Sequence, residues 1–388
     1  MGHDHRSEPH DDIVYPAAIP FAMVHLAALG VLWTGFPGYA VWTAVTLYLV
    51  RMFAVTGAYH RYFSHRSYKT GRVVQFLLAF LAQTSAQRGA LWWAAIHRHH
   101  HLHSDTEEDI HSPRHHGFFY SHVGWIFNAS NWKPDYGTIR DLAKYPELRW
   151  LDRFYLVPAV VLAVGTFVFG GWPGLFVGFF LSTVVLYHGT FAINSMAHQV
   201  GNQRYLTGDD SRNHWFLALV TLGEGWHNNH HHYQSSTRQG FKWWEIDITY
   251  YVLKAMSWTG LVWDLREPPA AIVRGEAPAG RKVVEKVAGE LAATISLEGI
   301  AARVREAWEE SHALDDLAER GREARRQIEA RLAELSLAHL PTIPELRERA
   351  EEMFNESPSL DAIVNRAHEL LAEAVAAYLF ETALASPA

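Results

Sequence analysis

From Ala17 to Val50 the chain carries no formally charged residue, and the run is interrupted only by Gly35-Phe36-Pro37-Gly38. Each side of that break is long enough to cross the hydrocarbon of a bilayer, and Gly-Phe-Pro-Gly is a turn signal. Backbone groups in lipid must satisfy one another within the segment, so the run can only fold as a helical hairpin. The pattern recurs at Tyr155 to Gly170 and Trp172 to Ile193, again uncharged, joined by Gly171-Trp172-Pro173. The expectation is an all-α membrane protein with four transmembrane helices in two hairpins.

Neither short connection contains Lys or Arg, whereas Arg51, Arg61, Arg66, Lys69, Arg72, Arg149 and Arg153 lie in the long middle stretch. The positive-inside rule makes that stretch cytoplasmic, and an even number of spans then puts both chain ends and everything after Ile193 on the same side. A further apolar stretch, Val73 to Trp93, is interrupted by Gln75, Gln83, Gln87 and Arg88 and reads as one interfacial helix rather than a span. The opening MGHDHRSEPHDD lacks the basic region of a cleaved signal, so the first helix is expected to stay in the membrane.

After Pro268-Pro269 the aromatic residues thin out, and Ala, Glu, Arg and Leu dominate. Apolar residues recur at helical spacing in Ser296 to Ser311 (Ile300, Val304, Trp308) and Ala313 to Leu340 (Leu317, Ile328, Leu332, Leu335), followed by a helix over about 344–384 broken near Pro358. Three regions follow: a polar tail at 1–14, a membrane domain at 15–265 and a charged, amphipathic, soluble helical extension at 266–388. The extension reads as a solvated bundle or coiled-coil contact.

A net charge of −7 without a basic block gives no reason to expect nucleic acid, and lipid is the better partner. With no cysteine, disulfides, thiolate zinc sites, iron–sulfur clusters and a cysteine nucleophile are all excluded. Any metal must be held by nitrogen and oxygen. Histidine, present 25 times, is clustered: His60-Arg-Tyr-Phe-Ser-His65, His97-Arg-His-His100-His101, Asn194-Ser-Met-Ala-His198 and His227-Asn-Asn-His230-His231.

Helical positions i, i+3 and i+4 share a face, so the second and fourth groups each present three imidazoles in one direction, leaving out His99 and His232. A separation of five turns an α-helix through about 140°, so the helix carrying His60 must end or kink before His65. Isolated His25 and His188 read as packed or interfacial residues. Nine imidazoles exceed the needs of one centre and point to two metals, with Asn194, one turn before His198, placed to hold a water. Imidazole alone does not choose among Fe, Cu, Zn and Ni.

Transport would require polar groups inside the spans, which are nearly absent. Hydrolysis would lean on carboxylates and a general base, and this set is almost all imidazole. A redox metal beside an apolar channel lined by such residues as Trp92, Trp93, Phe118, Phe119, Trp125 and Trp226 suits oxidation of a lipid chain. A zinc-handling membrane protein or metal sensor is the alternative from another class.

HRYFSHRSYK, HRHHH, NSMAH, GEGWHNNHH and the stretch from Gly117 to Trp125 together resemble the membrane fatty-acid desaturases of the acyl-CoA (stearoyl-CoA-like) type, over roughly residues 15 to 265. The resemblance implies that His60, His65, His97, His100, His101, His198, His227, His230 and His231 ligate two irons, with Asn194 holding a water. Asp105 and Asp109 would orient ligand imidazoles, and a cytoplasmic helical cap would hold the metals over a kinked acyl tunnel. It further implies O2-dependent desaturation of a fatty-acyl chain, near the Δ9 position, with an alkyl or fatty-acid hydroxylase as the alternative on the same site. The two electrons would come from outside, from cytochrome b5, ferredoxin or a flavin reductase, since no nicotinamide or flavin fingerprint and no haem-binding His-Pro-Gly-Gly is present. Animal members carry Arg-Asp immediately before the second box to hold a CoA thioester, whereas this chain has Ala95-Ile96. CoA is the expected carrier, with acyl carrier protein or a lipid-linked chain open.

Overall fold

The computed structural model describes residues 13–133, 135–310, 337–354 and 357–385. They are mostly helical and divide into two compact units between Val273 and Arg274.

In the first unit, the uncharged N-terminal run folds as helical Ile19–Thr34 and as Gly38–Ser64, the latter long and apolar enough to cross a membrane. Gly35 between them has φ +64°, a left-handed conformation that glycine adopts without a Cβ penalty. The second such helix, Val157–Met196, is interrupted at Gly171 (φ 58°, ψ −156°). A Cβ built on Gly174 would lie 2.3 Å from the carbonyl oxygen of Thr166. Eight residues of unbroken helix would separate those positions by about 12 Å, so the chain doubles back at Gly171. Trp42, Val168 and Phe169 are 73%, 67% and 93% exposed on these helices, while Ala40 and Val177 pack inside. Apolar side chains turned outward over such a length belong against lipid.

Because Gly174 meets backbone rather than a yielding side chain, Gly174→Ala should cost about 1–3 kcal/mol as overpacking. The expected result is a lower thermal unfolding midpoint of the detergent-solubilised protein; an unchanged midpoint would mean the turn-back is not packed this closely.

Two expectations need correction. Arg51 and Arg61 do not mark a loop: both are fully buried within Gly38–Ser64. Arg51 donates to the hydroxyls of Thr183 (2.7 Å) and Ser182 (2.5 Å) and to the carbonyl of Leu47 (3.1 Å), neutral partners suited to a guanidinium enclosed among apolar helices. Residues 73–93 are not one helix but parts of two, Arg72–Gln83 and Ala90–His103, separated by a segment in which Ala86 and Arg88 have positive φ. The glutamines read as breaks in an apolar face point inward: Tyr62 donates to Gln75 at 2.8 Å and Gln83 to the carbonyl of Leu151 at 2.9 Å. Val73 and Leu77 are the exposed ones.

Between these two long apolar helices lie Pro113–His122, Pro146–Arg153 and shorter turns, and after them come Trp215–Val220, His227–His232 and Ile248–Trp258. A two-residue antiparallel ladder, Lys69–Thr70 with Val262–Trp263, ties the start of this region to its end. Its core gathers Tyr59, Phe63, Tyr68, Leu91, Leu148 and Leu253.

Among the described residues, the second unit contains the helices Arg281–Ala293, Leu297–Glu310, Ile343–Phe354 and Leu360–Ala385. Val287, Ile300, Val304, Leu346, Val364 and Leu371 are buried in it, so Ile300 and Val304 do face inward. The chain is divided between Phe354 and Leu360, near the anticipated break at Pro358. Residues 1–12 and 311–336, with most of the tail and of the helix expected over Ala313 to Leu340, lie outside the described residues.

Candidate metal centre

The helix Gly38–Ser64 changes winding at Ala54, from α to π, and the wider turn runs to Ser64. In a π-turn the hydrogen bond spans five residues rather than four, and the amide of His65 donates to the carbonyl of His60 at 3.2 Å. The helix ends before His65, as the spacing demanded, but the widening before it is what turns both rings the same way. Their centroids are 4.8 Å apart.

His97, His100 and His101 sit on Ala90–His103, and His227, His230 and His231 on His227–His232. The nine histidines gather in two groups that share no member. His60, His65, His97, His101 and His230 have one nitrogen each within 4.8 Å of the others, and so do His100, His198, His227 and His231. Each HxxHH segment therefore serves both groups, His97 and His101 going one way and His100 the other, His230 one way and His227 and His231 the other. His99 and His232 join neither: His99 contacts the carbonyl of Glu108 (2.9 Å), and His232 stacks on Tyr205 with centroids 4.2 Å apart.

In the five-histidine group the Nε2 atoms form a chain, His65 to His97 at 2.9 Å, then His97 to His101, His101 to His230 and His230 to His60, each at 3.0 Å. Nε2 of His97, His101 and His230 thus each has two nitrogen neighbours. A neutral imidazole nitrogen either donates once or accepts once, so hydrogen bonding cannot satisfy this chain, whereas a cation among the lone pairs can. Donors at right angles about an ion with bonds of 2.0–2.1 Å lie about 3.0 Å apart, against about 3.4 Å for tetrahedral donors. The separations fit the right-angled arrangement. In the second group Nε2 of His198 and His227 are also 3.0 Å apart, and the buried Nε2 of His231 has no hydrogen-bond partner among the described residues.

His25, His188 and His122 make an instructive contrast. His25 contacts His188 (3.1 Å), and His188 contacts His122 (3.0 Å), but His188 uses a different nitrogen for each. The line runs from the carbonyl of Phe21 to the hydroxyl of Ser195 and is satisfied by one proton per ring. His25 and His188, which read as merely packed, thus join hydrogen-bonded partners rather than a metal group.

Carboxylates stand behind four of the nine rings. Nδ1 of His198 donates to Asp105 at 2.7 Å, that of His100 to Asp109 at 3.0 Å, that of His231 to Asp209 at 2.7 Å, and that of His60 to Glu224 at 2.5 Å. Such bonds fix the tautomer and would aim Nε2 at an ion held by the group. Asp105 and Asp109 were anticipated. Asp209 and Glu224 were missed; Glu224 stands inside GEGWHNNHH, three residues before His227, but the ring it supports is His60 of the first box. His111 was missed too; its ring packs at a tilt of 34° against His100 with centroids 4.4 Å apart.

Burial, reinforced by neighbouring imidazoles, pushes His65, His97, His101, His227 and His230 well below the ordinary histidine range. They are neutral, the form a metal requires. Burial presses His198 the same way, but the adjacent Asp105 more than offsets it and raises it to about 9. Asp105, Asp109 and Asp209 are raised by burial and lowered more strongly by their histidines, ending far below the usual carboxylate range.

A cavity of about 250 Å³ borders the five-histidine group, lined by His97, His111 and Asn194 together with Phe21, Trp92, Trp93, Tyr187 and Phe191. Trp93 stacks on His97 (centroids 4.9 Å) and on Tyr59 (5.5 Å), so it forms wall and ligand support at once. Ile96 lines the cavity as well. Mostly apolar surface with a few convergent polar groups is the character of a site for a hydrophobic ligand.

The family model for fatty acid desaturase matches residues 37–263. An acyl-CoA 5-desaturase of Anemone leveillei is 38% identical over 233 residues, covering 59% of this chain and 72% of that protein. An sn-2 palmitoyl-lipid 9-desaturase of Nostoc sp. (strain 36) is 36% identical over 62% of this chain and 87% of its own. The chloroplastic palmitoyl-monogalactosyldiacylglycerol delta-7 desaturase of Arabidopsis thaliana is 36% identical over 60% and 63%.

Proposed function

The chain belongs to the fatty acid desaturase family, and on that premise we propose that it removes two hydrogens from a saturated fatty-acyl chain near its middle, at the Δ9 position, using two irons held by the nine gathered imidazoles. Membership makes it an oxidoreductase. The carrying observation is the conjunction of two imidazole groups with an apolar cavity that reaches His97 and Asn194.

Iron fits the donor set. Five imidazoles in one group exceed the four ligands of a closed zinc site, and the right-angled separations argue against tetrahedral coordination. When bound, the irons supply the one-electron chemistry with O2 that an unactivated C–H bond demands. The balance is one O2, two electrons and two protons consumed with two substrate hydrogens, giving one alkene and two waters. The electrons come from an external one-electron donor such as cytochrome b5, a ferredoxin or a flavin reductase.

The chain's own side chains do the rest. Phe21, Trp93, Tyr187 and Phe191 hold an acyl chain extended and keep water from its methylenes, while the rigidly stacked Trp93 fixes the depth at which a given carbon passes His97. Asn194 is the residue to hold a water beside the four-histidine group. Asp105, Asp109, Asp209 and Glu224 keep their imidazoles aimed while charge on the metals changes. Two apolar hairpins give four spans with both termini and the metal centre on the cytoplasmic side, and a bilayer around them brings the substrate to the cavity.

We take CoA as the first reading for the acyl carrier. A glycerolipid-borne chain is the second, favoured by Ala95-Ile96 where animal members carry Arg-Asp and by the acyl-lipid desaturases among the relatives. Expression of the full chain in a host without its own desaturase tests the proposal. New cis alkenes near carbon 9, first in the acyl-CoA pool, are the expected result; first appearance in glycerolipids selects the second carrier. A new hydroxy acid without any new alkene would overturn desaturation in favour of hydroxylation.

A further inference from the structure

We infer that the two metal cavities are unequal, the four-imidazole cavity being the primary one that fills first and holds its ion hardest, and the five-imidazole cavity the secondary, exchangeable one. This rests on the two-metal reading above. Three of the four rings in the first cavity, His100, His198 and His231, donate to Asp109, Asp105 and Asp209. In the other, among the described residues, only His60 donates to a carboxylate; Nδ1 of His101 and of His230 is buried without a hydrogen-bond partner there, as is that of His227 in the first.

The charge balance widens the difference. Glu224, the lone carboxylate of the five-imidazole cavity, is already paired with the guanidinium of Arg61 at 3.0 Å. Asp105, Asp109 and Asp209 take their remaining bonds from neutral donors: Ser112 and the amide of Asp210 on Asp105, the amide of Asp105 on Asp109, Ser211 and Thr207 on Asp209. Among the described residues no lysine or arginine pairs with these three. A divalent ion entering the four-imidazole cavity therefore meets three carboxylates with no lysine or arginine beside them among the described residues, and one entering the other cavity meets a carboxylate already paired with a guanidinium.

A fifth imidazole pulls the other way, but it is a neutral donor. Each carboxylate behind a ligand histidine is worth typically 10–100-fold in metal affinity, so three against one neutralised carboxylate decide the order. The arrangement leaves one ion anchored while the coordination of the other can adjust.

The full-length chain, purified in detergent, stripped of metal with a chelator and titrated anaerobically with Co2+, tests this by its visible absorption. Two resolved steps of one equivalent each are expected. Asp105→Asn and Asp209→Asn should each weaken the first step about 10–100-fold while sparing the second, and Glu224→Gln should act on the second alone. The wild-type titration stands by itself if a variant proves unstable. Two ions binding in one indistinguishable step, or Glu224→Gln weakening the first step, would overturn the inequality and leave the two-metal reading intact. Fewer than two ions would overturn both.

Discussion

His230→Ala in the full-length chain should abolish double-bond formation while the protein remains in the membrane fraction, and the neighbouring His232→Ala should leave activity nearly intact. Nε2 of His230 lies 3.0 Å from both His60 and His101, so removing the ring opens the chain of five donors at an interior link. His232, two residues away on the same short helix, lies outside both groups and only stacks on Tyr205, an interaction worth about 0.5–1.5 kcal/mol. Iron per chain should fall from two towards one in the first variant and stay at two in the second. The contrast separates loss of a ligand from disturbance of the helix that carries both residues. Retained desaturation in His230→Ala, with iron unchanged, would remove His230 from the ligand set.

The largest expected stability effect belongs to Arg61. Its guanidinium is 1% exposed and bonds Asp247 at 2.9 and 3.0 Å, Glu224 at 3.0 and 3.1 Å and the carbonyl of Thr237 at 2.7 Å. Removing one partner of a buried ion pair leaves an uncompensated charge in low dielectric, at about 3–5 kcal/mol. Arg61→Met leaves two such carboxylates. A large fall in the thermal unfolding midpoint is therefore expected, partly recovered when Asp247→Asn and Glu224→Gln are added. Glu224 also steadies His60, so metal loss from the five-histidine group is expected when Glu224→Gln is added rather than in the single variant, which keeps that carboxylate. An unchanged midpoint in Arg61→Met would show the cluster to be solvated.

The histidine pattern carried much of this site in plain view, because i, i+3, i+4 spacing fixes direction on a helix whatever surrounds it. What spacing could not reveal was that His100 and His101, adjacent in sequence, point to different groups, since that depends on where the partner helices stand. The same limit hid Asp209 and obscured the partnership of Asp105 with His198, ninety-three positions away in the chain. The π-turn at 54–64 was legible only as a contradiction: six residues from histidine to histidine do not fit one α-helical face, and a wider winding is one way out that periodicity does not suggest. Hydropathy located the apolar runs but misjudged the cations within them, because a buried arginine with neutral partners and a loop arginine are the same letter. Ala86 and Arg88, two non-glycine residues in left-handed conformation, split the segment read as one helix, and nothing in their identity announces it.

Each HxxHH segment divides its rings between both groups, and no ligand is common to the two. The gap between the two groups is thus ruled by the backbone pitch of two helices rather than by any described side chain common to both. Rotating either helix by one position would spoil both sites together. A lineage could therefore trade one metal's environment for another only ring by ring, and a deletion inside either box would extinguish the whole binuclear unit in one event.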